Sequence, residues 1–334
     1  VRDRQHDLRA LWDNPPMTDL PRGAFGDPRA VSSRWALPPD GNGLTPAEAL
    51  AHKVRRLGLE RANSVVAAGD FRIVEGDRTR VPAVDERLVK GTLIELWRLP
   101  PDDPDDIVEA PTILHHGNGI LVVDKPGDLA VHPTARYLHA TLTSWLRRNG
   151  TPANPCHRLD RETSGVLVCA DDGVVERRWK QGFAAGKVKK QYLAVVDGVL
   201  DAEQRIDLPL ALQGDRGLVR IKMVVDVDGA PSVTRVEPVA VNAARTKSLV
   251  RCHPETGRQH QLRAHLAAIG HPIVGDKLYQ MGEAWFDAFT RYALTDEQRA
   301  LLTVPRQCLH AARVELDGEV YEAPLPSSFE LALA

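Results

Sequence analysis

The stretch HRLDRETSGVLV, residues 157 to 168, sets one acid, Asp160, behind a histidine, an arginine and a leucine and ahead of a Thr-Ser-Gly turn that opens onto an apolar run. A carboxylate in such a loop has two ordinary fates. It caps its own backbone, the default for an isolated turn aspartate, or it is held ionised in a cleft, where it acts as nucleophile or base. Glu162, two residues on, adds the option of a carboxylate pair flanking a glycosidic bond, with the groups about 5 to 9.5 Å apart. A second stretch, HPETGRQHQLRAHLAAIGHPIVGDKLY, residues 253 to 279, supplies cations and amides. Thr256 is placed to cap a helix starting near Gly257, and Gly270 followed by Pro272 to end it. On that helix Leu262, Leu266 and Ile269 share an inward face, while Gln259, His260 and Arg263 share a polar one near the positive end of the helix dipole. Such a face suits an anion, although a single arginine is more often a surface residue with a weak partner.

These two stretches are far apart in the chain, so a fold must bring them together. Between and around them the pattern predicts a strand core over Ile120 to Val123, broken by Lys125-Pro126-Gly127, then a helix over TLTSWLRRN and a buried strand over GVLVCA. A helix over DDGVVERRWKQGFAAG follows, with Asp172 as its cap and Gly186 at its end, and then a strand over KKQYLAVVDG. VRIKMVV, SVTRVEPVA, SLVRC and AARVEL read as further strands, and the tail EAPLPSSFELALA as a surface segment. Without regular βαβ alternation this organisation predicts an α+β domain on a mixed, largely antiparallel sheet with flanking helices.

Upstream, residues 1–44 are rich in Pro, Gly and Asp and predict an irregular arm. Residues 45–98 predict a small α/β unit. Thr45 and Pro46 open a helix carrying Leu50, Val54 and Leu57, a second helix lies around ERANSVVAAG, and FRIVEG and TLIELWRL are strands. Residues 99–111, whose prolines and repelling acids cannot pack, form a linker to a larger domain over 112–334.

Composition narrows the function classes. The chain has 334 residues, is 43% hydrophobic and 26% charged, and lacks an apolar run near the roughly 20 residues that span a bilayer. VRDRQHDLRALWDNPP has no apolar core of a secretory signal, so the expected location is the cytoplasm. Cys156, Cys169, Cys252 and Cys308 stand singly, and His260 and His265 are five apart, the wrong spacing for one ion, so no metal is expected. A net charge of −2 gives no global pull on nucleic acid, yet Arg177, Arg178, Lys180, Lys187, Lys189 and Lys190 cluster against the single acid Glu176, which permits an RNA partner.

HRLDRETSGVLV together with TGRQHQLRAH resembles the paired signature of the RluA-like family of RNA pseudouridine synthases, His-Arg-Leu-Asp-x-x-Thr-Ser-Gly and Thr-Gly-Arg-x-His-Gln-(Ile/Leu)-Arg-x-His. KVKKQYLAVVDG, GILVVDKPGDLAVHP and GHPIVGDKLY fit further family blocks in the same order, over roughly residues 112 to 325. The resemblance implies a pseudouridine synthase catalytic domain that isomerises uridines of rRNA or tRNA, without cofactor, on a chain of unassigned oligomeric state expected to be monomeric. It implies Asp160 as the essential carboxylate, Arg263 as its cationic partner and Tyr192 as a stacking platform for the flipped base. Arg158, His157, Thr163, Gln259, His260, Lys189 and Lys190 are implied to contact substrate or shape its loop. Residues 45–98 are similar in outline to the small S4 RNA-binding module. Two other readings compete: a non-catalytic RNA-binding relative of the same fold, and a glycoside hydrolase using Asp160 with Glu162, for which an aromatic content of 5% offers little sugar platform.

Overall fold

The computed structural model describes residues 24–26, 30–54, 57–98, 109–134, 137, 139–151, 153–290 and 294–333. They divide into two compact units whose boundary falls in the proline- and acid-rich linker, between Asp102 and Asp103. The smaller unit runs β1 (Val31–Ala36), α1 (Pro46–Lys53), α2 (Gly58–Ala67), β2 (Phe71–Glu75), β3 (Arg78–Arg80), β4 (Leu93–Arg98), with its strands in spatial order β1-β4-β2-β3. Thr45 and Glu48 close a capping box at the start of α1, and Pro46 occupies the first turn, where no amide hydrogen is required. Leu50, Ala62, Val66, Phe71 and Ile94 make the core of this unit. The irregular arm expected over residues 1–44 needs correcting. Residues 1–23 lie outside the described residues, but Val31–Ala36 is a strand paired along its length with β4. Its Trp35 packs edge-on to Phe71, an aromatic anchor that outweighs the prolines and glycines on its flanks.

The larger unit opens with the hairpin β5 (Thr112–Gly117) and β6 (Ile120–Lys125), followed by α3 (Leu142–Arg148), β7 (Asn154–Pro155), β8 (Ser164–Ala170) and α4 (Gly173–Ala184). It continues through β9 (Lys189–Asp197), β10 (Gln204–Asp207), β11 (Leu210–Leu212), β12 (Met223–Val225), β13 (Val233–Val241), β14 (Lys247–Pro254) and α5 (Gln261–Ala268). α6 (Glu283–Thr290), α7 (Asp296–Ala300), β15 (Leu309–Leu316), β16 (Glu319–Glu322) and α8 (Ser328–Leu333) complete it. One mixed sheet runs β10-β13-β14-β9-β15-β8-β6-β5, with β16 on β15 and β7 on β8. Its described pairings are antiparallel except β15 against β8, which is parallel through His310↔Ser164 and Ala311↔Gly165. Two antiparallel halves therefore meet at that junction. Both strands start from the same edge, so the loops that enter them, before Ser164 and before Leu309, open side by side.

Three segments depart from the sequence reading. The strand expected over VRIKMVV is extended only at Met223–Val225, because a turn closes from the Lys222 amide to the Val219 carbonyl. The helix expected from Gly257 begins at Gln261. Thr256 does not cap it: its hydroxyl accepts from the Val233 amide and meets the Gln261 amide oxygen, and His260 turns left-handed at φ 51° just before the helix. The tail is not a surface segment, since Phe329 and Ala332 on α8 are fully buried in the main core beside Leu266 and Val250.

Candidate active site

The Asp160 loop is fixed from several sides by its own chain. At the end of β6, the fully buried Lys125 donates to the carbonyls of Pro126, Leu129 and Arg161 at 2.8, 2.9 and 3.1 Å. Burial pulls its pKa down to about 7, yet three carbonyls match the three donors of the ammonium form. His157 Nε2 accepts the Val168 amide hydrogen at 3.0 Å, and its ring stacks on Phe183 with centroids 4.2 Å apart. Thr163 Oγ1 accepts from Gln307 Nε2 at 2.8 Å. The loop is thereby tied to β6, to β8 and to the segment that enters β15.

From this frame the Asp160 carboxylate reaches Arg263 on α5, whose Nη1 donates at 2.8 Å. The other edge of the guanidinium forks onto Asp276, Nε to Oδ2 at 2.6 Å and Nη2 to Oδ1 at 2.9 Å. Asp276 is fully buried and also accepts the amides of Leu278 and Tyr279, so it is itself immobile. The Tyr279 ring lies 5.0 Å from the guanidinium and its hydroxyl meets His260 Nδ1 at 3.2 Å. Burial pushes the Asp160 pKa up. The charge and hydrogen bond of Arg263 and the charge of Arg158 outweigh it and hold the group below the usual carboxylate value, joined by the charge of His260 only in acid, where that imidazole is protonated. Burial keeps His260 down at about 4, so at neutral pH it is uncharged and Arg263 is the cation that keeps Asp160 ionised.

The remaining predicted residues separate. Tyr192 on β9 is partly buried and lines the cleft. Burial first, and then the charge of Asp160, push its phenol up, so it stays protonated. Arg158 is exposed, and Gln259 is exposed and donates to the Ile221 carbonyl at 3.3 Å. Lys190 lines the cleft, but Lys189 does not. Neighbours on a strand point to opposite faces, and Lys189 pairs with Glu315 at 2.7 Å on the other one. His157 and Thr163 both line the first lobe and at the same time tie the loop down through their own hydrogen bonds. Asp276, Tyr279 and Lys125 were not singled out from the sequence. They sit inside GHPIVGDKLY and GILVVDKPGDLAVHP, where nothing in spacing or periodicity distinguishes them from ordinary turn residues.

The cleft has two lobes that both reach Asp160, of about 610 and about 600 Å³. The first is walled by Tyr192, Leu309, Lys190 and Arg258, the second by Tyr137, Ile221 and Phe286. Glu162 cannot serve as the second member of a carboxylate pair as it stands, because one of its oxygens holds Arg161 and the other holds Lys277 and the Gln307 amide. Among the described residues no group of three or more His, Cys, Asp or Glu could hold a metal ion, and the four cysteines are buried free thiols. An ionised carboxylate, backed by a fixed arginine in a recess with an aromatic wall, is equipped for nucleophilic or basic attack on a planar, uncharged ligand.

Comparison with known proteins agrees with this chemistry. The family described as RNA pseudouridylate synthase matches residues 119–268. A protein of Helicobacter pylori (strain ATCC 700392 / 26695) named as an uncharacterized RNA pseudouridine synthase is 36% identical over 260 residues, 76% of this chain and 85% of the relative. The ribosomal large subunit pseudouridine synthase D of Zymomonas mobilis is 29% identical over 301 residues, 85% of this chain and 90% of that protein. Among solved structures, human RNA pseudouridylate synthase domain containing 1 superposes with a TM-score of 0.50 at 27% identity, covering 68% of this chain and 87% of that one.

Proposed function

The chain belongs to the RNA pseudouridylate synthase family, whose members are isomerases acting on RNA, and we propose that Asp160 is the carboxylate through which it converts uridine to pseudouridine. The reaction breaks the N1–C1′ bond, turns the base and joins C5 to C1′, and the proton lost from C5 is balanced by one gained at N1. No atom enters or leaves. A base inside an RNA helix is out of reach, so the target nucleotide is flipped into the first lobe at an expense of a few kcal/mol. Stacking on Tyr192 returns about 1 to 3 kcal/mol of that. Asp160 then supplies the anionic lone pair, by attack at C1′ or C6 or as base at C2′, while Arg263 keeps it deprotonated and aimed. Arg158 holds the backbone or fills the vacated stack, and Lys190 and Arg258 contact phosphates, which position the RNA without reading its sequence.

The observation that carries this reading is the 2.8 Å Asp160–Arg263 contact, reached across the chain and braced from behind by Asp276. The substrate we propose is ribosomal RNA, with transfer RNA as the alternative. The relative named for the large ribosomal subunit aligns with this chain over nearly its whole length, including much of the small unit. We read that unit, a helix pair leading into an antiparallel sheet, as an S4-like RNA-binding module.

The test uses unmodified ribosomal and transfer RNA transcripts, with no metal or cofactor added, and maps pseudouridine by carbodiimide-dependent reverse-transcription stops. Wild type is expected to produce stops, and Asp160→Asn to produce none while keeping its circular dichroism spectrum and RNA affinity. An active Asp160→Asn would overturn the assignment. Binding without stops in wild type would favour a non-catalytic relative, and release of sugar a hydrolase.

A further inference from the structure

The second lobe is not needed to hold a flipped uridine, yet it is built into the same site. Arg158, Asp160, Gln259, His260 and Arg263 line both lobes, so the two are continuous at the carboxylate. α6 contributes its wall through both Phe286 and Phe289, but the two rings are engaged differently. Trp285 and Phe289, four apart, share one face, stack with centroids 5.6 Å apart at 16°, and pack with Leu294 and Leu302 into a local core. Phe286 sits about 100° further round the helix. Among the described residues it belongs to none of the hydrophobic clusters, and it lines the lobe. Ile221, 49% exposed, and Tyr137, under the Arg161 guanidinium at 5.3 Å, line it as well.

The charge of this lobe points to the class of occupant. Asp128 is paired with Arg161, Glu162 with Lys277 and Asp160 with Arg263, which leaves Arg158, shared with the first lobe, as the one further arginine in its lining. Away from Arg158 the charges are matched, and the apolar walls with an aromatic face by Ile221, Tyr137 and Phe286 suit a neutral planar group rather than a phosphate. When a uridine leaves its stack, the adjacent base loses a partner, and an aromatic ring beside the catalytic carboxylate can replace it.

We propose that the second lobe receives the nucleobase next to the target uridine, stacked on Phe286, and that this contact sets the preference for an unpaired neighbour. The inference rests on Asp160 holding the target in the first lobe. It adds a specificity-determining residue on α6, outside the blocks that carry the reaction.

The experiment uses the full-length protein and ribosomal RNA fragments carrying the uridine located by carbodiimide mapping. Phe286→Leu, which keeps apolar bulk but removes the π face, is expected to lower kcat/KM about 5- to 150-fold, the range of one base–aromatic stack. Phe286→Trp is expected to stay near wild type. An abasic residue at the neighbouring position is expected to reduce wild type to the Phe286→Leu level and to leave Phe286→Leu itself unchanged, the signature of one shared interaction. Phe286→Leu at wild-type activity overturns the inference, as does Phe286→Trp falling with Phe286→Leu, which marks a purely structural ring. Wild type that forms no pseudouridine in any RNA strikes instead at the reading of Asp160.

Discussion

Arg263 stands between two carboxylates, and its fork geometry decides how it serves both. Asp276 takes the bidentate edge and leaves one Nη1 donor for Asp160. This arrangement fixes the guanidinium plane, and with it the direction from which Asp160 is held. Asp276→Asn keeps the shape but removes the charge that anchors the fork. The guanidinium is then free to turn toward Asp160 alone. A misplacement of order 1 Å lowers turnover about 10²-fold, so the single-turnover rate is expected to fall by that order while the filter-binding Kd for RNA stays within a few-fold. A matching loss in Kd would place Asp276 in binding rather than in aiming Asp160.

At the level of elements, the site depends on how closely β8 and β15 approach. Gly165 has φ +108°, and a Cβ there would lie 2.2 Å from the Ala311 carbonyl oxygen. The Thr-Ser-Gly turn after Asp160 is therefore a requirement of the parallel junction as much as of the loop. Gly165→Ala combines a left-handed backbone with a clash against main chain that cannot swing away, and is expected to destabilise the protein by at least about 3 kcal/mol. Urea denaturation checks it, and a loss under about 1 kcal/mol would mean that the junction yields. α5 is placed with equal economy. Its inward Leu262 and Leu266 join the core while Arg263 comes out beside Asp160, and the left-handed His260 sets where the helix begins.

For the molecule as a whole, buried imidazoles set the response to acid. Burial lowers His157 to about 3, and His260 and His310 to about 4, against about 6.5 in an unfolded chain. His157 accepts an amide hydrogen on Nε2, so protonation there breaks the bond that ties the Asp160 loop to β8. Between those folded values and 6.5 the unfolded state binds more protons than the native one. The stability these groups contribute is thus fully present above about pH 6.5 and falls as pH drops toward 4. Asp160, Glu162 and Asp276, all held below their ordinary values, add to the loss only further into acid. The thermal midpoint is expected to decline between pH 7.5 and 5, before the lowered carboxylates titrate and against a smaller opposite contribution from Asp124, which burial pushes up to about 6, and a flat profile over that interval would contradict the assignment of neutral buried histidines.

The amino-acid sequence by itself, through its resemblance to a known family, marked the acid, the arginine and the tyrosine that the structure brings to one cleft, because each lies in a short local pattern whose residue types and order carry that resemblance. It also determined most helix caps, which are contacts within four residues, as at Thr45 and Asp172. Tertiary structure alone decided that Asp276 braces Arg263, that Lys125 pins the loop, that Lys189 faces away while Lys190 faces in, and that the tail is core. Each of these depends on which strand lies beside which and with what register. That is settled by burial and hydrogen bonding between segments many residues apart, and local spacing holds no record of it.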